Sequence, residues 1–136
     1  MASKPLDLVR SIQAAWERGD FSSADWAHPE IEYEIVEGPS PGRWTGLAGM
    51  AAAFGDILQA WEHWRVEADQ YRELDEERVL VLQHFAARGK ASGLDTGPLA
   101  TEVASVFEVR DGKVTRLVQY WGWELAFAEL GLDQSS

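Results

Sequence analysis

The sequence predicts an α+β fold, a curved antiparallel sheet with helices across its concave face that closes into a cone. Three observations predict it. Apolar residues recur at helical spacing in the first half of the chain and again at its end, while the intervening segments alternate apolar and polar residues with the period of a strand. The resulting order is α-α-β-α-β-β-β-β-α, with helices and strands segregated rather than interleaved. No internal repeat, linker or low-complexity tract interrupts the 136 residues, so a single domain is expected over 1–136.

Ser3 can cap a first helix running to about Arg18, with Pro5 accommodated in its opening turn. Leu8, Ile12 and Ala15 form one stripe, widened by Val9 and Trp16. Gly19 ends this helix, and "DFSSADWA" reads as a short second one that stops near His28, because Pro29 disfavours helical geometry in the residue before it. "EIEYEIV" alternates as a strand, and "EGPSPG" is a loop dense in proline and glycine. In "TGLAGMAAAFGDILQAW", the spacing of Leu47, Met50, Ala51, Phe54, Ile57, Leu58 and Trp61 gives a third helix one buried face. "WRVEADQYREL" and "RVLVLQHFAAR" are strands joined by an acidic turn. After the connection "GKASGLDTGP", "LATEVASVFEV" and "KVTRLVQYW" form a hairpin around Asp111-Gly112. A closing helix runs from Trp123 to Leu130 and ends at Gly131; it is expected to cover part of the open end of the cone.

The net charge of −11 repels phosphate backbones and anionic lipid, which argues against nucleic-acid and membrane partners. The chain has no cysteine, which removes disulfides and thiolate chemistry. No apolar run approaches a signal core or a membrane span, so a cytoplasmic location is expected. His28, His63 and His84 are isolated from other ligand-type residues at metal-binding spacing, and "GLAGMAAAFG" lacks the lysine and serine of a phosphate loop. Neither a metal nor a cofactor is expected. Seven tryptophans supply large contact area for a core, and some of them suit the wall of a ligand pocket.

The element order, together with "GRWTGLAGM", "RGKASG", "FEVRDGKVTRLVQYW" and "LAFAELGL", resembles the SnoaL-like branch of the nuclear transport factor 2-like superfamily, a cystatin-like roll. That superfamily includes ketosteroid isomerases, polyketide cyclases, dehydratases, epoxide hydrolases and binders without catalytic activity. The ketosteroid-isomerase pattern implies a carboxylate base at Glu34, with Glu32 as the alternative; both share one strand face, opposite Ile31, Tyr33 and Ile35. The donors that pattern requires are missing: Ile12 and Ser105 stand where it carries a tyrosine and an aspartic acid. The cyclase pattern directs attention to His84, a proton shuttle if it faces inward and a surface or subunit-contact residue if it faces outward.

Taking Glu34, Ser105 and Trp121 as inward markers, alternation adds Val103, Phe107, Leu117 and Gln119. The helices add Trp16, Phe54 and Trp61, and Trp44 is expected to cover the mouth. Such a chamber suits a small apolar ligand bearing one or two oxygens. Val106, Arg116, Val118 and Tyr120 fall on the other sheet face; exposure of Val118 and Tyr120 there, together with the sheet-to-sheet pairing that the resemblance implies, predicts a homodimer. Three functions are compatible with this pattern. One is acid–base isomerisation, cyclisation or dehydration with Glu34 as base. The second is binding of an apolar metabolite without catalysis, and the third is an interaction module whose cone is filled by its own side chains.

Overall fold

The computed structural model describes residues 4–18, 25–37, 41–89 and 101–132, with the side chains of 4, 56–65, 87–89 and 101 outside the description. Its elements are α1 (Lys4–Glu17), β1 (Ala27–Val36), β2 (Gly42–Thr45), α2 (Gly46–Ala60), β3 (Trp61–Glu73), β4 (Arg78–Gly89), β5 (Thr101–Arg110), β6 (Lys113–Tyr120) and α3 (Trp123–Leu130). The strands form one sheet in the order β2-β1-β6-β5-β4-β3. All neighbours are antiparallel except β1 and β6, which run parallel, so the sheet is mixed rather than purely antiparallel. Register shifts in β3 after Glu62 and Ala68, and in β6 between Val114 and Arg116, mark the irregularities that bend such strands.

Two details of the expected order change. Asp25 and Trp26 form a turn and Ala27 already belongs to β1, so a helix does not extend to Ala27 as expected; residues 20–24 of that segment lie outside the described residues. The stretch entering α2 pairs with β1 as the short strand β2, with Tyr33 opposite Trp44 and Glu34 opposite Arg43. Four residues are too few for alternation to be read in sequence. A Cβ at Gly42 would come within 2.9 Å of the Trp44 ring, so a larger residue there would push that ring aside.

The sheet carries α1 and α2 on one face and α3 on the other. The first core joins Val9, Ile12 and Trp16 of α1, Met50 and Ala53 of α2, and Ile31, Tyr33, Ile35, Val79, Val81, Phe107 and Leu117 of the sheet. The second joins Leu80, Leu82, Ala104, Val106, Val118 and Tyr120 to Ala126 and Phe127 of α3. The closing helix therefore does not cover the mouth of the cone but packs on the opposite face. Gly122 makes this possible: its φ of 140° lies where side chains are strained, and it turns the chain between Trp121 and Trp123. Trp121 then packs on Phe85 with ring centroids 5.4 Å apart, while Trp123 packs on His84 at 4.9 Å. Gly131, at φ 68°, ends the helix as expected.

The same placement of α3 corrects the expected apolar patch. Val118 and Tyr120 are 7% and 8% exposed because α3 covers them within one chain, so the exposure that favoured a dimer is absent.

Candidate functional site

Strand alternation decides which side chains can reach the helix-bearing face. On β1 it is Ile31, Tyr33 and Ile35 that are buried there, and β6 opposes Tyr33 with Leu117 and Glu34 with Val118. Glu34 therefore lies on the α3 side of the sheet. Its carboxylate meets Arg43 Nε at 3.1 Å and Arg116 Nη2 at 3.6 Å, close to solvent. This corrects the expectation of an enclosed base. Glu32 shares the outer face and is exposed. Arg43, which would have admitted anions had it turned inward, is spent on Glu34.

His84 also faces outward. Its Nδ1 lies 2.7 Å from Asp69 Oδ2, its ring rests on Trp123, and it stands opposite Glu67 and Glu102 in the sheet. Of the two orientations weighed for it, the structure gives the outward one.

The inward set divides in two along the strands. At one end Trp16 is packed against Phe107 at 5.7 Å, Phe54 at 6.1 Å and Trp26 at 6.2 Å. With Phe107 and Leu117 fully buried, this end is core rather than wall; Trp16 is buried among them and borders only an open surface groove between α1, Trp26 and the turn at Gly112. At the other end Val103, Ser105, Gln119 and Trp121 come together with Phe85 and Gln83. Tyr33 lies beside them, with the Phe54 ring 5.2 Å away and the Trp44 ring 5.5 Å away. Trp44, Phe54, Gln119 and Trp121 are half-buried, so this end carries a partly open aromatic rim above a closed floor. The side chain of Trp61 lies outside the described residues.

The floor is polar: alternation places Ser105 and Gln119 there, but the hydrogen-bonded chain that joins them to Tyr33, Gln83 and Gln13 leaves no trace in the sequence. The Tyr33 hydroxyl donates to Gln119 Oε1. Gln119 Nε2 donates to Ser105 Oγ at 3.3 Å, and Ser105 Oγ donates to Gln83 Oε1 at 2.7 Å. Gln83 Nε2 donates to Gln13 Oε1 at 2.6 Å, and Gln13 Nε2 donates to Glu17 Oε2 at 3.1 Å. The backbone N–H of Ala68 donates to the same Glu17 oxygen at 3.0 Å. Gln13, Gln83 and Ser105 are at most 1% exposed. Buried amides and hydroxyls are tolerated because each is hydrogen-bonded to the next. Gln13 follows Ile12, the position where the ketosteroid-isomerase pattern expects a tyrosine, so a polar side chain enters from α1 one residue later than that pattern implies. Tyr33 was legible only as the apolar side of β1.

Burial pushes the Tyr33 hydroxyl well above the ordinary tyrosine range. In the unfolded chain this group ionises near pH ~10, whereas in the fold it keeps its proton. Between those two limits the folded state holds the extra proton, so stability is full below pH ~10 and falls as pH rises further. In an alkaline titration, the tyrosinate absorbance of Tyr33 should appear only together with loss of the folded circular-dichroism signal. A Tyr33→Phe variant should lose that coupled step.

Among the described residues no group of three acidic or histidine side chains could hold a metal ion, and no helix is long and apolar enough to cross a membrane. Over most of its length the chain resembles solved structures at low identity. TerC, co-crystallised with polyporic acid, superposes with a TM-score of 0.74 at 21% identity, covering 94% of this chain and 98% of that one. An NTF2-like protein of unknown function from Burkholderia pseudomallei gives 0.77 at 17%, covering 93% and 97%. A protein with a ketosteroid isomerase-like fold from Catenulispora acidiphila, in complex with trimethylamine, gives 0.70 at 14%, covering 96% of each chain. At such identities the likeness shows the fold. No curated protein matches the chain in sequence. The family described as the SnoaL-like domain matches residues 9–117, most of the helix-covered sheet described above, and the chain belongs to that family.

Proposed function

We propose that the chain, as one SnoaL-like unit over residues 1–136, binds a small, neutral, mostly apolar molecule at the half-buried end of its helix-covered sheet face. The observation that carries this reading is the pairing of a closed polar floor with a partly open aromatic rim. Tyr33, Gln119, Ser105 and Gln83 form the floor, and Trp44, Phe54 and Trp121 stand around it. An apolar rim supplies contact area, and a few fixed polar groups orient what enters. Trp16 and Phe107 fill the other end of the cone, which supports a chamber confined to one end rather than a cone filled throughout.

Binding without acid–base turnover is the favoured form of this reading. Glu34 and His84, the groups expected to move protons, are on the other side of the sheet. Along the floor itself the side chains are neutral until Glu17 at its far end. TerC, which has a similar fold, was crystallised with a small molecule, polyporic acid.

N-phenyl-1-naphthylamine, a neutral dye that brightens in apolar surroundings, tests the proposal. The wild-type chain should enhance its emission saturably. Trp121→Ala should weaken binding by about tenfold, the value of one well-packed aromatic contact. Glu34→Gln should leave binding unchanged, because its side chain does not share the face. Saturable binding that survives Trp121→Ala and falls with Glu34→Gln would reverse the assignment of faces.

A further inference from the structure

The hydrogen-bonded floor runs in one direction only, and its direction is fixed at the end remote from the rim. A carboxylate accepts hydrogen bonds and does not donate them, so the Gln13 atom facing Glu17 must be Nε2. Its carbonyl then faces Gln83, which must answer with its own Nε2. The Gln83 carbonyl takes the single Ser105 proton, leaving Ser105 Oγ to accept. Gln119 must therefore turn Nε2 toward Ser105 and its carbonyl toward the Tyr33 hydroxyl. Each amide orientation follows from the one before it, and the carboxylate of Glu17 decides them all.

For the group at the rim this has a chemical consequence. The Gln119 carbonyl already holds the Tyr33 proton. Of the two Nε2 protons, one goes to Ser105, and the other has no acceptor among the described residues. An unused second lone pair on a carbonyl costs little, whereas a buried N–H without an acceptor is rarely left so. Gln119 is half-buried, beside Tyr33 and the aromatic rim. A ligand that displaces water from this place must therefore bring an acceptor of its own.

We infer that the chamber selects ligands carrying a hydrogen-bond acceptor oxygen on an apolar body, and that Gln119 is the residue that reads it. This rests on the binding reading proposed above and narrows the class of ligand. Glu17 sets the orientation of the Gln119 amide through three intervening side chains and touches no ligand.

The test uses two probes of nearly equal shape, 2-acetylnaphthalene and 2-isopropenylnaphthalene, which differ by a carbonyl oxygen against a methylene group. Dissociation constants are measured on the full chain by quenching of tryptophan emission. The ketone should bind about tenfold more tightly, the value of one hydrogen bond to a group otherwise left unpaired. In Gln119→Met, which keeps the length of the side chain and removes its N–H, the two probes should bind within about twofold of each other, with the hydrocarbon little affected. In ¹⁵N-labelled wild-type protein, the side-chain amide signals of Gln119 should move with the ketone and stay in place with the hydrocarbon, a readout that does not depend on the variant folding. Equal binding of both probes to wild type would overturn the acceptor assignment while leaving the binding reading intact. Failure of both to bind would overturn the two together.

Discussion

Phe107→Ala is expected to destabilise the fold by about 3–5 kcal/mol, the range for removing a large ring from a packed interior. Phe107 is fully buried at the centre of β5, opposite Leu117 on β6 and Val79 on β4, and its ring lies 5.7 Å from that of Trp16. Trp16 in turn contacts Phe54 of α2 and Trp26 of the turn before β1. Truncation would leave a void under α1 that three rings of fixed position cannot close. In urea unfolding the midpoint should fall while the slope stays constant, and the melting temperature should drop by on the order of 10–20 °C. A loss below about 1 kcal/mol would mean that the helix and sheet can collapse onto the gap, and that this end of the cone is looser than its ring contacts indicate.

Gln83→Leu comes next, with an expected cost of about 2–4 kcal/mol. The substitution removes no volume of consequence and replaces a polar side chain by an apolar one in a buried place, so area alone predicts a gain. The opposite sign follows from its neighbours. Gln83 accepts the Ser105 proton and donates to the Gln13 carbonyl, and both partners are fully buried. Leucine would strand the two of them at once, and each unpaired group carries its own desolvation penalty. The triple variant Gln13→Leu, Gln83→Leu, Ser105→Ala should recover a large part of the loss, because it removes the stranded groups along with their partner. Strong non-additivity between the single and combined variants, read from unfolding free energies, is the signature of one connected network. Additive losses would show instead that the three side chains act separately.

Stability and recognition draw on the same residues here. The chain of amides that holds α1 to β4 and β5 also orients Gln119 at the rim. A variant at Gln83 should therefore alter ligand preference as well as melting temperature, whereas Phe107→Ala should alter melting temperature alone at temperatures where the fold persists.

Much of the fold was legible. The long strands, the hairpin at Asp111-Gly112, and the last helix (Trp123–Leu130) follow from periodicity and turn chemistry, which are local properties. The face of β1 shows how a correct strand can carry a wrong site. Alternation separates Ile31, Tyr33 and Ile35 from Glu32 and Glu34, and it stays valid whichever set faces inward. The apolar set was the one to bury, since the core is apolar. The ketosteroid-isomerase pattern implies a base at Glu34 and hence the opposite assignment of faces, which the structure does not follow.

Gln13, Gln83, Ser105 and Gln119 gave no sign of acting together, because a hydrogen bond between side chains leaves no periodic trace. Gln83 reaches Gln13 across 70 positions, Ser105 reaches Gln83 across 22, and Gln119 reaches Ser105 across 14. Only the pairing of β4 with β5 and of β5 with β6, and the seating of α1 across them, bring the four into line.

By itself, then, the sequence determined which segments become helices and strands, that α1 and α2 each bury one face, and that the final helix must be covered on its apolar side. Those follow from residue spacing and from the free energy of removing apolar surface from water. The tertiary structure decided which side of the sheet each of them covers. A helix with an apolar stripe is equally satisfied by either face of a sheet that is apolar on both, and the positive φ of Gly122 sends α3 to the far side. That choice, together with the register of β1 against β6, put Tyr33 beneath the rim and Glu34 outside it.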